Sequence, residues 1–116
     1  MSRQAAEQRG HWGETLGCWW LRFHGWRILG RRVRVRAGEV DIIARRGRTL
    51  AFVEVKTRQK AADLDLAIDR HRLRRVAAAT QVLVPHFARP DDDVRLDVLL
   101  LAPFSWPRHV QNVWHG

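Results

Sequence analysis

Two short apolar segments, Gly38-Glu39-Val40-Asp41-Ile42-Ile43-Ala44 and Phe52-Val53-Glu54-Val55-Lys56, constrain the fold of this chain more than any other part of it. Both are rich in the β-branched and aromatic residues of strands, and the tight turn Arg46-Gly47 between them makes them hairpin neighbours. They nevertheless carry three carboxylates and a lysine, which strands normally exclude because a buried charge is costly unless something pairs with it. Carboxylates that face one another repel, so the pattern calls for a cation between them. The lysine is a choice of the same kind. Of 21 basic residues 19 are Arg, so Arg was readily available if only charge were wanted; Lys has a pKa that burial can lower, whereas Arg stays charged.

Side chains alternate along a strand, which puts Glu54 and Lys56 on one face of theirs and Glu39 and Asp41 on one face of theirs. A two-residue turn at Arg46-Gly47 opposes Arg45 to Arg48, Asp41 to Phe52 and Glu39 to Glu54. Asp41 and Glu54 are then diagonal neighbours, about 7 to 8 Å apart at the backbone and within reach of one shared ion. A slip of one residue would separate them onto opposite faces. A hard divalent ion such as Mg²⁺ takes carboxylate and water oxygens and contacts phosphate, which suits phosphodiester hydrolysis. Asp41 and Glu54 are the expected ligands, and Lys56 the residue that orients water or neutralises developing charge.

Around this hairpin the pattern predicts an α/β domain. Trp12, Leu16, Trp19, Trp20 and Phe23 share a helical face, which predicts a helix from Glu7 to about His24 with Trp19 and Trp20 in the core, ended by Gly25. Trp26 to Val35 reads as an edge strand with a basic side, followed by strands Glu39 to Arg45 and Thr49 to Lys56 in an antiparallel meander. A loop, Gln59 to Asp65, leads to a second helix in which Leu73, Val76, Ala77, Thr80, Leu83 and Val84 share a face. Pro85 to Asp93 is a polar connection, with Asp91-Asp92-Asp93 as exposed loop, and Val94 to Leu101 is a last strand that must return after a helical crossover. The order helix, three strands, helix, strand implies a mixed sheet in a single domain spanning 1–116, with 1–6 and 103–116 as peripheral tails.

Composition narrows the function class. The 116 residues hold one core, and no stretch has the roughly 18 apolar residues of a membrane span. The polar start, Met1 to Gly10, lacks a secretory segment, so a cytoplasmic protein with no membrane partner is expected. Cys18 is the only cysteine and reads as a small buried hydrophobe, and the six histidines show no zinc spacing. A formal charge of +9 favours a polyanionic partner, nucleic acid above all. Arg31, Arg32, Arg34 and Arg36 of the first strand, with Arg46 and Arg48 at the turn, are candidates for a phosphate-tracking rim.

Asp followed by a short gap and Glu-x-Lys resembles the PD-(D/E)xK nuclease core of the restriction-endonuclease-like fold. The longer run, Gly38 to Ala44 and then Phe52 to Arg58, is similar to the small bacterial YraN-like proteins, predicted endonucleases that resemble archaeal Holliday-junction resolvases. Gly13-Glu14, Gly25-Trp26-Arg27-Ile28-Leu29, Arg95-Leu96-Asp97-Val98 and His109-Val110-Gln111-Asn112 extend the resemblance over nearly the whole chain. It implies a restriction-endonuclease-like core, Asp41, Glu54 and Lys56 as the catalytic trio, Glu14 as a further metal-site carboxylate and Glu39 in a supporting place. It also implies Mg²⁺ or Mn²⁺ as cofactor and DNA, branched or damaged, ahead of RNA as substrate. Arg32 stands where the family tends to have Asn, and Arg72 where a lysine is common. Arg34, Arg36, Arg46, Arg48, Arg58 and Arg72 are the expected nucleic-acid contacts. Related resolvases work as dimers, which would make a homodimer that pairs two sites. The contrasting expectation is a non-catalytic nucleic-acid-binding protein with a vestigial nuclease site.

Overall fold

The computed structural model describes residues 3–59 and 70–114, with side chains from Trp12 onward. Its elements are α1 (Arg3–Phe23), β1 (Arg27–Val35), β2 (Gly38–Arg46), β3 (Thr49–Thr57), α2 (Arg70–Phe87), β4 (Asp93–Leu101) and β5 (Arg108–Val110). They build one five-stranded sheet in the order β1-β2-β3-β4-β5. The first three strands are the antiparallel meander, β4 lies parallel to β3 after the α2 crossover, and β5 pairs antiparallel with β4. The architecture is α/β with a mixed sheet, consistent with a restriction-endonuclease-like fold. Most of the loop expected at Gln59 to Asp65 lies outside the described residues.

Strand alternation divides the interior into two cores. Leu50 and Phe52 of β3, with Leu96, Val98 and Leu100 of β4, pack against Leu73, Val76, Ala79 and Leu83 of α2. Ala51 and Val53, with Leu99 and Leu101, pack on the other side with Cys18 and Leu21 of α1 and with Trp26. The helix expected to end before Pro85 continues through it to Phe87.

In α1 the buried face is not the aromatic one, although Trp20, expected in the core, does pack half-buried against it. Trp12 is 65% exposed, Trp19 55% and Phe23 86%, while Gly13, Glu14, Gly17, Cys18 and Leu21 face the sheet. Close approach decides the matter: a Cβ on Gly17 would lie 3.0 Å from Leu99 Cδ2 and 3.3 Å from Ile42 Cδ1, and one on Gly13 would collide with Thr57 Cγ2. The small face lets the helix backbone settle onto the strands, and the large side chains are left to line a cavity of about 410 Å³ between α1 and Leu101–Pro107.

Nor is the segment after Pro103 a loose tail. Asp97, fully buried on β4, lies 2.7 Å from His109 Nε2 and accepts hydrogen bonds from the Asn112 amide at 2.9 Å and Arg95 Nη2 at 3.0 Å. The Val113 amide donates to the Leu96 carbonyl, and the His109 ring meets Trp20 and Trp26 edge-on. Burial alone would raise the Asp97 carboxyl, but His109, the Asn112 amide and Arg95 outweigh it and hold it below its ordinary value. A second latch joins Arg45 to Asp92 by two contacts, 2.7 and 2.6 Å, which removes Asp92 from the loop role expected for the Asp run.

Truncating Asp97 to Ala removes the acceptor on which the C-terminal strand converges and leaves Arg95 without its carboxylate. The expected cost is about 3 to 5 kcal/mol, as for breaking other buried ion pairs, read as a lower urea midpoint, and hydrogen-exchange protection should be lost first at residues 108–113.

Candidate metal centre

The hairpin that carries the motif closes one residue later than the sequence suggests. Arg46 pairs with Thr49, so the two turn residues are Gly47 and Arg48. Gly47 has φ +61, and a two-residue hairpin turn demands a left-handed backbone at its first central position. Every pair therefore moves: Ile42 faces Val53 and Ile43 faces Phe52. Asp41 is brought level with Glu54 instead of opposing Phe52.

At that level the two strands part. Their ladder ends at Ile42 and Val53, and the Val55 amide donates to Asp41 Oδ2 at 2.8 Å. Val40 and Ile43 both pack in the α2 core, so the simple alternation of β2 breaks between them. Glu39 and Asp41 project instead toward α1, where Glu14 is waiting. One carboxylate oxygen from each of Glu14, Glu39 and Asp41 lies within 4.8 Å of the others. Glu14, Asp41 and Glu54 were the expected ligands of such a centre; the first two are in the group, Glu54 is not one of the three, and Glu39, expected only in support, is a full member.

Glu54 and Lys56 meet the centre from β3. Lys56 Nζ lies 3.2 Å from Glu54 Oε1, and Arg72 Nε of α2 donates to the same oxygen at 3.1 Å. Both β3 residues are buried. Arg32 approaches from β1, its Nε 3.4 Å from Glu14 Oε2 and 3.6 Å from Glu39 Oε1, while Arg34 Nη2 donates to Glu39 Oε2 at 3.0 Å. Glu14 Oε2 is buried and has the Arg32 ion pair but no hydrogen bond.

The electrostatics follow from this crowding. Burial, then the neighbouring Glu54, push Asp41 up to about 7, and the Val55 amide only partly offsets them. Burial likewise raises Glu14 against the pull of Arg32. It lowers Lys56 despite the stabilising Glu54 carboxylate. Raised carboxyls beside a lysine whose proton is more readily lost are a perturbation found at functional sites and also in structural ion-pair networks.

Of the expected phosphate contacts, Arg34 and Arg72 touch the centre and Arg58 follows Lys56 by two residues; Arg36 is exposed in the turn before β2. Arg46 and Arg48 are elsewhere. They sit at the turn, about 17 Å along the strand from Asp41 at a rise of ~3.4 Å per residue. Arg46 donates to the His24 carbonyl and covers the Trp26 ring, and Arg48 donates to the Asp91 carbonyl. The rim expected to include them is thus shorter, because the acidic centre lies at the open end of the hairpin. Arg32 as the counter-charge of Glu14 and Glu39 was not foreseen; the one sign at its position was that Arg stands where the resembling family tends to have Asn, and its φ of +51 is unusual for Arg.

Fold and site together define a class: a small α/β protein with a mixed sheet, consistent with the restriction-endonuclease-like fold, that gathers an acidic cluster beside a buried lysine. Residues 13–101 match the Uncharacterised protein family UPF0102, and the chain belongs to that family. It is 65% identical over 114 residues to the UPF0102 protein of Sphingopyxis alaskensis, covering 98% of each chain. It is 60% identical to that of Rhizorhabdus wittichii, covering 98% of this chain and 97% of the relative, and 51% identical to that of Erythrobacter litoralis, covering 98% of each. This is the YraN-like family that the strand motifs resemble, and its name states no reaction. No helix among the described residues is long and apolar enough to cross a membrane.

A carboxyl whose folded pKa is raised favours folding below its unfolded value, and that advantage is lost as pH rises through the folded value. In EDTA the unfolding free energy should therefore fall between about pH 4 and about pH 7, by an amount on the order of a few kcal/mol, and Asp41→Asn should flatten most of the fall. Urea titrations at several pH values test this; an equally steep decline in Asp41→Asn would place its origin elsewhere.

Proposed function

We propose that the protein is a metal-dependent endonuclease that hydrolyses phosphodiester bonds of nucleic acid, with DNA preferred as substrate. The observation that carries this reading is the convergence of Glu14, Glu39 and Asp41 within 4.8 Å beside the buried Lys56. A hard divalent ion fits these residues: the donors are all carboxylate oxygens, and one of them, Glu14 Oε2, is buried without a hydrogen bond. Mg²⁺ or Mn²⁺ bound there would polarise a phosphoryl oxygen and acidify a water for in-line attack.

The chain's own residues supply the rest. Asp41 is fixed by the Val55 amide, so one of its oxygens is held and the carboxyl cannot turn away. Glu54 aims Lys56, and Lys56 stabilises the negative charge that develops on the phosphoryl oxygens or orients the attacking water. Arg34 and Arg72 flank the centre, and with a net charge of +9 they suit a polyanionic strand. No reader helix is evident among the described residues, and recognition of nucleic-acid shape is favoured over recognition of sequence.

The contrasting reading, binding without cleavage, draws on the same centre: Lys56 and Arg72 already neutralise Glu54, and Arg32 neutralises Glu14 and Glu39. A panel of labelled linear, flapped and four-way DNA and single-stranded RNA, incubated with Mg²⁺, Mn²⁺ or EDTA, separates the two. Cleavage by the wild type should require the metal, and Lys56→Ala and Asp41→Asn should each lower the rate by about 100-fold or more. Salt-sensitive binding with no cutting, unchanged by Lys56→Ala, would assign the protein to the binding class.

A further inference from the structure

The aromatic face of α1 is not explained by the packing that leaves it outside. Close approach at Gly13 and Gly17 keeps large side chains off the buried face, but it asks for nothing on the other one, where polar residues would cost less. Trp12, Leu16, Trp19 and Phe23 stand there instead, exposed beside the half-buried Trp20. The segment between β4 and β5 repeats the choice: Phe104 and Trp106 are almost fully exposed, and Phe104 has φ +57, a left-handed backbone that disfavours a bulky side chain. The cavity of about 410 Å³ is lined by this helix and this segment, and its size falls within the roughly 300 to 1,000 Å³ of sites that take small organic groups.

Charge narrows the occupant. Among the described residues no acidic one lines the cavity, while Arg58 does, and Arg22 places its guanidinium over the Trp19 ring, 5.3 Å from the centroid. Thr57, Gln59 and Ser105 add polar groups to otherwise apolar walls. An occupant with flat apolar faces and a negative charge matches this lining, and a second copy of a chain with net charge +9 does not supply that charge. We infer that the cavity between α1 and Leu101–Pro107 is a stacking site for unpaired nucleobases, and that the strand the protein acts on is single-stranded beside the bond it cuts. The inference rests on the proposed nuclease reading and names its substrate class.

The position of the cavity agrees with this. Glu14 lies between Trp12 and Leu16 in the chain but turns to β2, so the cavity and the metal centre occupy different sides of one helix. A helix with its side chains is about 10 to 12 Å across and a strand rises about 3.4 Å per nucleotide, so a base in the cavity belongs about three nucleotides from the phosphate at the centre. Paired bases hide their faces in the stack, and only an unpaired segment offers them.

Binding by the full chain in EDTA, followed by fluorescence anisotropy at fixed salt, tests the inference apart from cleavage. The probes are a labelled oligothymidylate and an abasic strand of the same length, which carry the same phosphates. Wild type should bind the oligothymidylate about tenfold tighter. Trp12→Ala and Trp19→Ala alter residues more than half exposed, so the fold should survive them. Each should lose most of the preference with abasic affinity unchanged, and Trp19→Phe should keep it. Equal affinity for the two strands in wild type, or a preference that survives both alanine variants, would overturn the inference. So would self-association in sedimentation that Trp19→Ala abolishes, with no base preference, since that marks an interface between copies. Base preference without metal-dependent cleavage would uphold the stacking site and overturn the nuclease reading; cleavage without base preference would do the reverse.

Discussion

The hydrogen bond from the Val55 amide to Asp41 Oδ2 is the point on which the site depends. In an unbroken antiparallel ladder that amide would be spent on a neighbouring backbone carbonyl. Because β2 and β3 part beyond Ile42 and Val53, a buried amide needs another acceptor, and an aspartate supplies it. The same parting breaks the alternation of β2, turns Glu39 and Asp41 toward α1 and opens the space into which Glu14 reaches. A strand pair zipped to its end would have left these carboxylates on separate faces with no shared centre.

Helix α1 can bring Glu14 there only because it lies close to the sheet. Gly13 and Gly17, one turn apart, provide that approach, and Glu14 sits between them on the same face. The aromatic stripe of α1 is the other side of this bargain: large side chains on the buried face would have lifted the helix and withdrawn Glu14. Placement of one carboxylate thus accounts for three exposed aromatic residues, Trp12, Trp19 and Phe23.

Much of this was legible in the residues. Strand type, the meander, the crossover and the membership of Asp41 and Lys56 in one neighbourhood follow from apolar runs, turn residues and charges out of place; Glu14 was placed there by the family resemblance alone. Other features were hidden for identifiable reasons. Helical periodicity reports which residues are apolar, but it does not weigh two glycines against four aromatics, so the buried face of α1 was misread. Arg46-Gly47 and Gly47-Arg48 are both plausible two-residue turns, and only the left-handed glycine selects the second. The C-terminal strand is three residues long and is held by a buried aspartate, and neither fact leaves a hydrophobic pattern. Arg32 looked like one more surface arginine because backbone conformation is invisible in a sequence where Gly or Asn would have announced it.

Two aspartates of the sheet, Asp97 fully buried and Asp41 half-buried, show how differently one molecule can treat its carboxylates. Both lose hydration on folding, and burial is the largest influence on each. Asp97 recovers more than it loses, from an imidazole, an amide and a guanidinium, and its carboxyl falls below the ordinary value. Asp41 receives one amide and faces Glu54, Glu14 and Glu39, and its carboxyl rises to about 7. Hydrogen bonding was available to the fold, as Asp97 proves, so the shortage at Asp41 is not a failure of packing to supply partners. It leaves acceptor capacity directed at a common point, where a cation would complete what the protein withholds. As far as these two groups decide it, the metal-free protein should be most stable near pH 4, above the range in which Asp97 is protonated and below that in which Asp41 loses the advantage of its proton.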